Sequence, residues 1–122
     1  MFRKHRVLHI SPSSGKIECW ARWISGSDHA ITTWDAGKRE GCESLPFASE
    51  QFTQVWSNNV LEHTFNPWRC FKEIARVLVT GGIAIHVAPS FYPIHVEFYP
   101  DNFRYTPSGL HAMAEAAGMR VR

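Results

Sequence analysis

No stretch of the chain approaches the ~20 consecutive apolar residues needed to cross a bilayer. The basic opening MFRKHR is followed only by VLHI, too short for the apolar core of a secretory signal. Charge imbalance is missing too: 13 Lys and Arg stand against 11 Asp and Glu, a net of +2 that does not by itself point to nucleic acid. The basic residues that cluster do so at the ends, in Arg3, Lys4 and Arg6 and in Arg120 and Arg122. They read as solvated termini rather than as a phosphate-binding patch. Cysteine is scarce. Cys19, Cys42 and Cys70 are widely spaced, odd in number and form no CxxC. That pattern argues against a disulfide framework or a zinc site and predicts reduced thiols in a cytoplasmic protein. Repeats and low-complexity linkers are also absent, so residues 1–122 read as a single domain.

What is present is apolar and aromatic: 44% of residues are hydrophobic, with five Trp and eight Phe, enough for a real core. The run VLHI (7–10) reads as a strand and breaks into Ser-Pro-Ser-Ser-Gly. The helix after it places Ile17, Trp20, Ala21 and Ile24 on one face, with Ser13 or Ser14 as its cap and Gly26 at its stop. AITTW (30–34) is a second strand, ended by Asp35-Ala36-Gly37, and TQVWSN (53–58) is a third. Asn66 then caps a helix that Pro67 opens. Its expected buried stripe is Trp68, Phe71, Ile74, Ala75 and Leu78, with Gly81-Gly82 as its stop. IAIHVA (83–88) reads as a strand buried on both faces. Thr106 and Pro107 open a last helix with Leu110, Met113, Ala114 and Ala117 facing inward, closed by Gly118. Such alternation is that of an α/β sheet.

Three pieces, LPFASEQFTQVWSNNVLEH (45–63), EIARVLVTGG (73–82) and DNFRYTPSGLHAMAEAAGMRV (101–121), occur in an order and spacing that resembles one known family. It is that of the class I, type 11 S-adenosylmethionine-dependent methyltransferases. The resemblance implies a Rossmann-like, open, mostly parallel sheet with flanking helices, shortened relative to the usual core. It also implies S-adenosylmethionine as cofactor and a small-molecule or carbohydrate-like methyl acceptor.

The same resemblance implies site residues. His9 stands where the family has an acid, and Ser11, Ser13 and Gly15 stand where it has three glycines; only Gly15 keeps the family residue. Serine lacks glycine's freedom for φ > 0 and close backbone approach, although its hydroxyl can still donate to a carboxylate. Asp35 would accept from the ribose hydroxyls if AITTW is the family's second strand; the alternative makes it the third. Only nine residues separate Asp35 from Leu45, where the family fits a further helix and strand. Leu45 and Phe47 would border the adenine, and Ser57, Asn58 and Asn59 would lie near the methionine end. His63 is the candidate general base, with Glu62 as its structural neighbour. Tyr92, His95, Tyr99, Arg104 and Tyr105, in the long aromatic segment 89–106, either line an acceptor pocket or pack as a lid.

Seven histidines are scattered along the chain; no metal site is expected, and His86 reads as a hydrogen-bonded core residue. Two further departures are Phe52-Thr53 in place of Phe-Asp, and Val79-Thr80-Gly81-Gly82 in place of Lys-Pro-Gly-Gly. The family would also continue past Arg122 into an antiparallel hairpin, so an open sheet edge is expected. That edge, or the helix beside it, predicts a homodimer. The leading functional reading is methyl transfer. A non-catalytic, methyltransferase-like binding or dimerisation module is the alternative, and nucleic-acid binding through the basic ends has only charge behind it.

Overall fold

The computed structural model describes residues 5–11, 30–36, 41–96 and 100–122. The expected helix at 16–24, with Ser13, Gly15 and Cys19, lies outside the described residues, as does Tyr99.

Strands β1 (Arg6–Ser11), β2 (Ala30–Asp35) and β3 (Phe52–Asn58) are followed by helix α1 (Pro67–Val77), strand β4 (Leu78–Val87) and helix α2 (Pro107–Ala116). Two 3-10 turns, Gly41–Glu43 and Leu61–His63, stand before and after β3. The four strands form one sheet in the order β2-β1-β3-β4, and every pairing is parallel. β2 lies directly against β1, with Ser11 opposite Asp35. In a doubly wound sheet that is the place of the second strand, and it is also where a third strand would lie if the second were missing, so the pairing fits either alternative for Asp35. On the other side of β1, Ile10 faces Ser57 and Ser57 faces His86. The chain therefore steps from β1 to one side and then to the other, and the strand order reverses at the carboxyl ends of β1 and β3. Ligands of open α/β sheets bind in that crevice.

One sheet face carries Leu8, Ile10 and Val55 and packs with Phe71, Ile74 and Val77 of α1; Leu61, Tyr105 and Ala114 complete this core. On the other face Val7 and Trp56 are buried together. The start of α1 is built as its sequence predicts. Asn66 Oδ1 accepts from Arg69 N at 3.1 Å, and Glu43 Oε1 accepts from the amides of Phe65 and Asn66 at 2.7 and 2.9 Å. Thr106 caps α2 in the same way, accepting from Gly109 N at 3.1 Å. Leu110, Met113 and Ala117 pack against the core beside Ala114, as expected.

Four expectations are corrected. The buried stripe of α1 is Pro67, Cys70, Phe71, Ile74 and Val77, and Trp68 is 47% exposed. Helix α1 also ends at Val77 rather than at the glycines, because Gly81 and Gly82 belong to β4. The register against β3 shifts there. Gly81 has φ +79°, and a Cβ on Gly82 would lie 2.9 Å from Val79 O and 3.1 Å from Thr53 O, so the close approach of strands requires a glycine. Third, β4 is not buried on both faces: Ile83, Ile85 and Val87 alternate outward and are 55%, 37% and 52% exposed. The alternation of an edge strand replaces the continuous burial of a central one.

The last correction concerns cysteine. Cys42 and Cys70 form a disulfide, their Cα atoms 5.1 Å apart, joining the first 3-10 turn to α1. Their 28-residue separation hid the pairing from sequence inspection. For these two residues the expected free thiols are overturned.

Candidate functional site

Two groups of side chains gather beyond the carboxyl ends of the strands. The first comprises residues expected to meet a cofactor. Ser11 closes β1 with 1% of its surface exposed, and its carbonyl accepts from Ala36 N at 2.9 Å, joining the ends of β1 and β2. Asp35 is therefore placed beside the start of the serine-rich loop. His9 is different: it is fully buried and paired to Thr33 and Trp56 within the sheet, two residues short of the strand end.

At the end of β3, Ser57 is buried and its Oγ lies 2.6 Å from His86 Nδ1. Burial lowers the His86 pKa from its ordinary 6.5 to about 4, which keeps the imidazole neutral. His86 is thus the hydrogen-bonded core residue expected. Asn58 is half-buried. Asn59 follows at φ +51°, a left-handed position that asparagine tolerates better than most residues, and its amide donates to Val87 O at 2.9 Å. The turn puts Asn59 in solvent at the strand tip.

Leu45 is buried in the core, whereas Phe47 is half-exposed and sits edge-on to Trp34 and Phe52, with ring centroids 6.0 and 5.1 Å away. Two residues of α1 hold this turn. Glu73 Oε2 accepts from Leu45 N at 2.9 Å; Arg76 donates to Leu45 O at 3.0 Å and to Phe47 O at 2.8 Å. The two side chains also bond each other, at 2.8 Å on both oxygens of Glu73. Bonding to Arg76 holds the Glu73 carboxyl below its usual range. Sequence reasoning missed this clamp. Its signal was the i,i+3 pair in EIAR.

The second group lies between the 3-10 turn Leu61–His63 and the segment after β4. Glu62 is fully buried, and neither of its carboxylate oxygens has a hydrogen-bond partner. Its Oε1 is 3.7 Å from His63 Nε2 and 3.8 Å from His95 Nε2. The two imidazole rings meet edge to face at 5.0 Å. His63 Nδ1 is 2.8 Å from Pro100 O, and His95 Nδ1 is 3.2 Å from Asp101 Oδ2. Asp101 also accepts from His95 N at 2.9 Å and is gripped on both oxygens by Arg104, which holds its carboxyl well below the usual range. Burial raises the Glu62 pKa, opposed by its own backbone amide and the two imidazoles, while Asp101 adds to the rise.

Of the expected acceptor residues that are described, only His95 joins this cluster directly. Arg104 supports it through Asp101 and donates to the carbonyls of Tyr92 and Pro93 at 3.1 and 3.0 Å. Tyr105 is buried; its hydroxyl donates to Leu61 O at 2.7 Å, and burial pushes its pKa up to about 12. Tyr92 is 63% exposed, its ring 5.4 Å from that of His95. Phe91 and Ile94 are more exposed still, so the aromatics of 91–94 do not pack over the sheet as a closed lid. Asp101 and the bridging role of Glu62 were not anticipated, since 32 or more residues separate Glu62 from its partners after β4.

Comparison with known proteins agrees with this architecture. An uncharacterized methyltransferase of Mycolicibacterium vanbaalenii is 40% identical over 58 residues, which cover 46% of this chain and 23% of the relative. The chain thus matches under a quarter of that relative's length. An S-adenosylmethionine-dependent methyltransferase of Thermotoga maritima superimposes with a TM-score of 0.60 at 17% identity, over 97% of this chain and 65% of the other. One from Mesorhizobium loti gives 0.60 at 13% identity, over 94% and 74%. Those likenesses show a shared Rossmann-like fold. The methyltransferase domain family matches residues 2–86, so its span includes the serine-rich loop and stops short of the 101–121 segment. By that match and this fold, the chain belongs to the methyltransferase domain family.

Proposed function

We propose that this chain binds S-adenosylmethionine at the carboxyl ends of β1, β2 and β3 and directs methyl transfer to a small-molecule acceptor. The observation that carries the reading is the pairing of Ser11 with Asp35 at the point where strand order reverses. It sets a carboxylate, the group suited to a ribose diol, beside the first loop and next to the crevice. The donor set therefore fits the cofactor, with Asp35 as ribose acceptor and Asn58 and Asn59 at the opposite strand tip. Phe47, held by Arg76 and Glu73, offers an apolar edge for the adenine.

When bound, the cofactor supplies a methyl group activated on a sulfonium sulfur. The chain's own task is placement, holding an acceptor in line so that little motional freedom remains to be lost. The cluster of Glu62, His63 and His95 borders the same end of the sheet and is the polar surface from which an acceptor would be oriented. His63, read from sequence as a solitary base, acts as part of that cluster.

A second reading is a non-catalytic binding module. Two observations favour it: the His9 side chain is enclosed in the sheet, and Ser57 Oγ already lies in hydrogen-bond reach of His86. Calorimetric titration with S-adenosylmethionine and S-adenosylhomocysteine separates the two. Saturable binding that Asp35→Ala weakens by about 1–3 kcal/mol, the cost of a lost buried hydrogen bond, supports the cofactor site. No heat and no thermal shift at millimolar ligand leaves the binding-module reading in its place.

A further inference from the structure

We propose that Glu62, His63 and His95 form a binding site for a divalent transition-metal ion of the zinc class, with Glu62 Oε1 and the two imidazole Nε2 atoms as ligands. The donor atoms already converge. All three lie within 4.8 Å of one another, and Glu62 Oε1 stands 3.7 and 3.8 Å from the two nitrogens. Ligands of a tetrahedral zinc at bond lengths of 2.0–2.2 Å are about 3.3–3.5 Å apart. Only a contraction of a few tenths of an ångström separates the observed carboxylate–imidazole spacing from that geometry. Two histidines and one glutamate are a donor set that zinc uses when it keeps a further position for water or a substrate oxygen.

The second, independent observation is the state of Glu62. Its side chain is fully enclosed, and both carboxylate oxygens are without hydrogen bonds. A buried carboxylate so placed is costly unless it takes up a proton or a cation compensates it. The two imidazoles could do so only by becoming protonated, whereas a divalent ion between the three groups compensates the carboxylate and uses all three lone pairs.

The surrounding contacts orient the histidines for this role. His63 Nδ1 donates to Pro100 O at 2.8 Å, and His95 Nδ1 faces Asp101 Oδ2 at 3.2 Å. With the proton of each ring held at Nδ1, each Nε2 presents a lone pair toward Glu62. A carboxylate or carbonyl behind a ligating histidine is the usual arrangement at metal centres. Arg104 holds Asp101 as an anion in that position. Further support comes from the amides of Asn102 and Phe103, which donate to Glu62 O at 2.8 and 3.2 Å and tie the loop after β4 to the 3-10 turn. Residues far apart in sequence are thus locked together at one point. A ligated His63 no longer serves as a proton acceptor; an acceptor oxygen on the open position would instead be made more acidic by the ion.

The proposal does not rest on the methyl-transfer reading. It is tested on the untagged full chain, stripped with chelator and titrated with Zn²⁺ at neutral pH, with Co²⁺ as spectroscopic probe. Expected are one Zn²⁺ per chain, a thermal midpoint that rises with Zn²⁺, and visible Co²⁺ bands of low coordination number. His95→Ala should abolish all three. Asp101→Asn, which keeps the ligands, should weaken binding about 10–100-fold. His111→Ala, which removes an exposed histidine paired with Glu115 on α2, should change nothing. Because His95 is partly exposed on a loop, its variant should remain folded by circular dichroism. Should His95→Ala unfold, His63→Gln replaces it. Binding of Zn²⁺ equally by wild type and His95→Ala, or no binding at all, overturns the proposal. S-adenosylmethionine titration of the same variants keeps its failure distinct from failure of the cofactor site.

Discussion

Arg76 bridges Glu73 and the Leu45–Phe47 turn, with one guanidinium bonding a carboxylate on its own helix and two carbonyls on a different segment. An isolated surface ion pair contributes little. This one is different in kind, since removing Arg76 takes its donors from the carbonyls of Leu45 and Phe47 and leaves the Glu73 carboxylate only Leu45 N. The pair is the means by which α1 sets the position of Leu45 and Phe47.

Arg76→Ala should therefore lower stability by about 1–3 kcal/mol, the range for hydrogen bonds to charged groups. It should also weaken S-adenosylmethionine binding. Arg76→Lys, which keeps charge but not the fork, should recover only part of either. Denaturant unfolding and calorimetry on the same samples measure both. Full recovery by lysine would show that charge alone, and not the fork, positions the turn.

His86 gives stability a pH dependence of definite sign. Its folded pKa of about 4 lies below the ordinary 6.5, so the unfolded chain takes up the proton first. The contribution is complete above pH 6.5 and is lost as pH falls from 6.5 toward 4. Part of the residue's surface reaches solvent, so the loss is set at about 1–3 kcal/mol rather than the full 1.36 kcal/mol per unit. Urea unfolding across this range should show the decline, and His86→Gln should flatten it. An unchanged slope in that variant would assign the acid sensitivity elsewhere.

The Cys42–Cys70 bridge closes a 28-residue loop. On the chain-entropy account, a loop of that size corresponds to about 3–4 kcal/mol. Reductant should lower the unfolding free energy by roughly 2–4 kcal/mol. Thiol titration of the unreduced, denatured chain should find one reactive cysteine of the three, Cys19. Three reactive thiols would return the chain to the fully reduced state that sequence alone suggested.

Ile83, Ile85 and Val87 form an outward apolar stripe on β4, which is the last strand of the described sheet. An outward apolar face beside a strand edge open among the described residues suits association with another chain, and a second copy is the partner we propose. Light scattering should report a dimer that Ile85→Lys converts to monomer without loss of the fold. A monomeric wild type at working concentration rules the dimer out.

Much of this molecule is legible in its sequence. Apolar runs and the 3.6-residue period found all six described strands and helices, although β4 begins at Leu78, five residues before the expected strand. Asn66-Pro67 and Thr106-Pro107 marked both described helix starts, because capping chemistry is local and needs only neighbouring residues. The place of Asp35 at a strand end was legible for a similar reason: it directly follows an apolar run. The exposed Trp68, the glycines inside β4 and the outward stripe of that strand were not legible. Each depends on which neighbour lies across the sheet or helix, and periodicity does not encode that.

The cluster around Glu62 divides the same way. Composition and spacing showed that His63 stands at a strand exit and that a polar, aromatic segment follows β4. Only tertiary structure decided that His95 and Asp101 fold back onto Glu62, that Arg104 supports them, and that Tyr105 is spent inside on Leu61 O. Local sequence determines where strands, caps and turns fall, because their energetics involve residues a few positions apart. Which histidine meets which carboxylate depends on two loops brought to one end of a parallel sheet. There, burial and a shared set of lone pairs make a site of residues that sequence distance had kept apart.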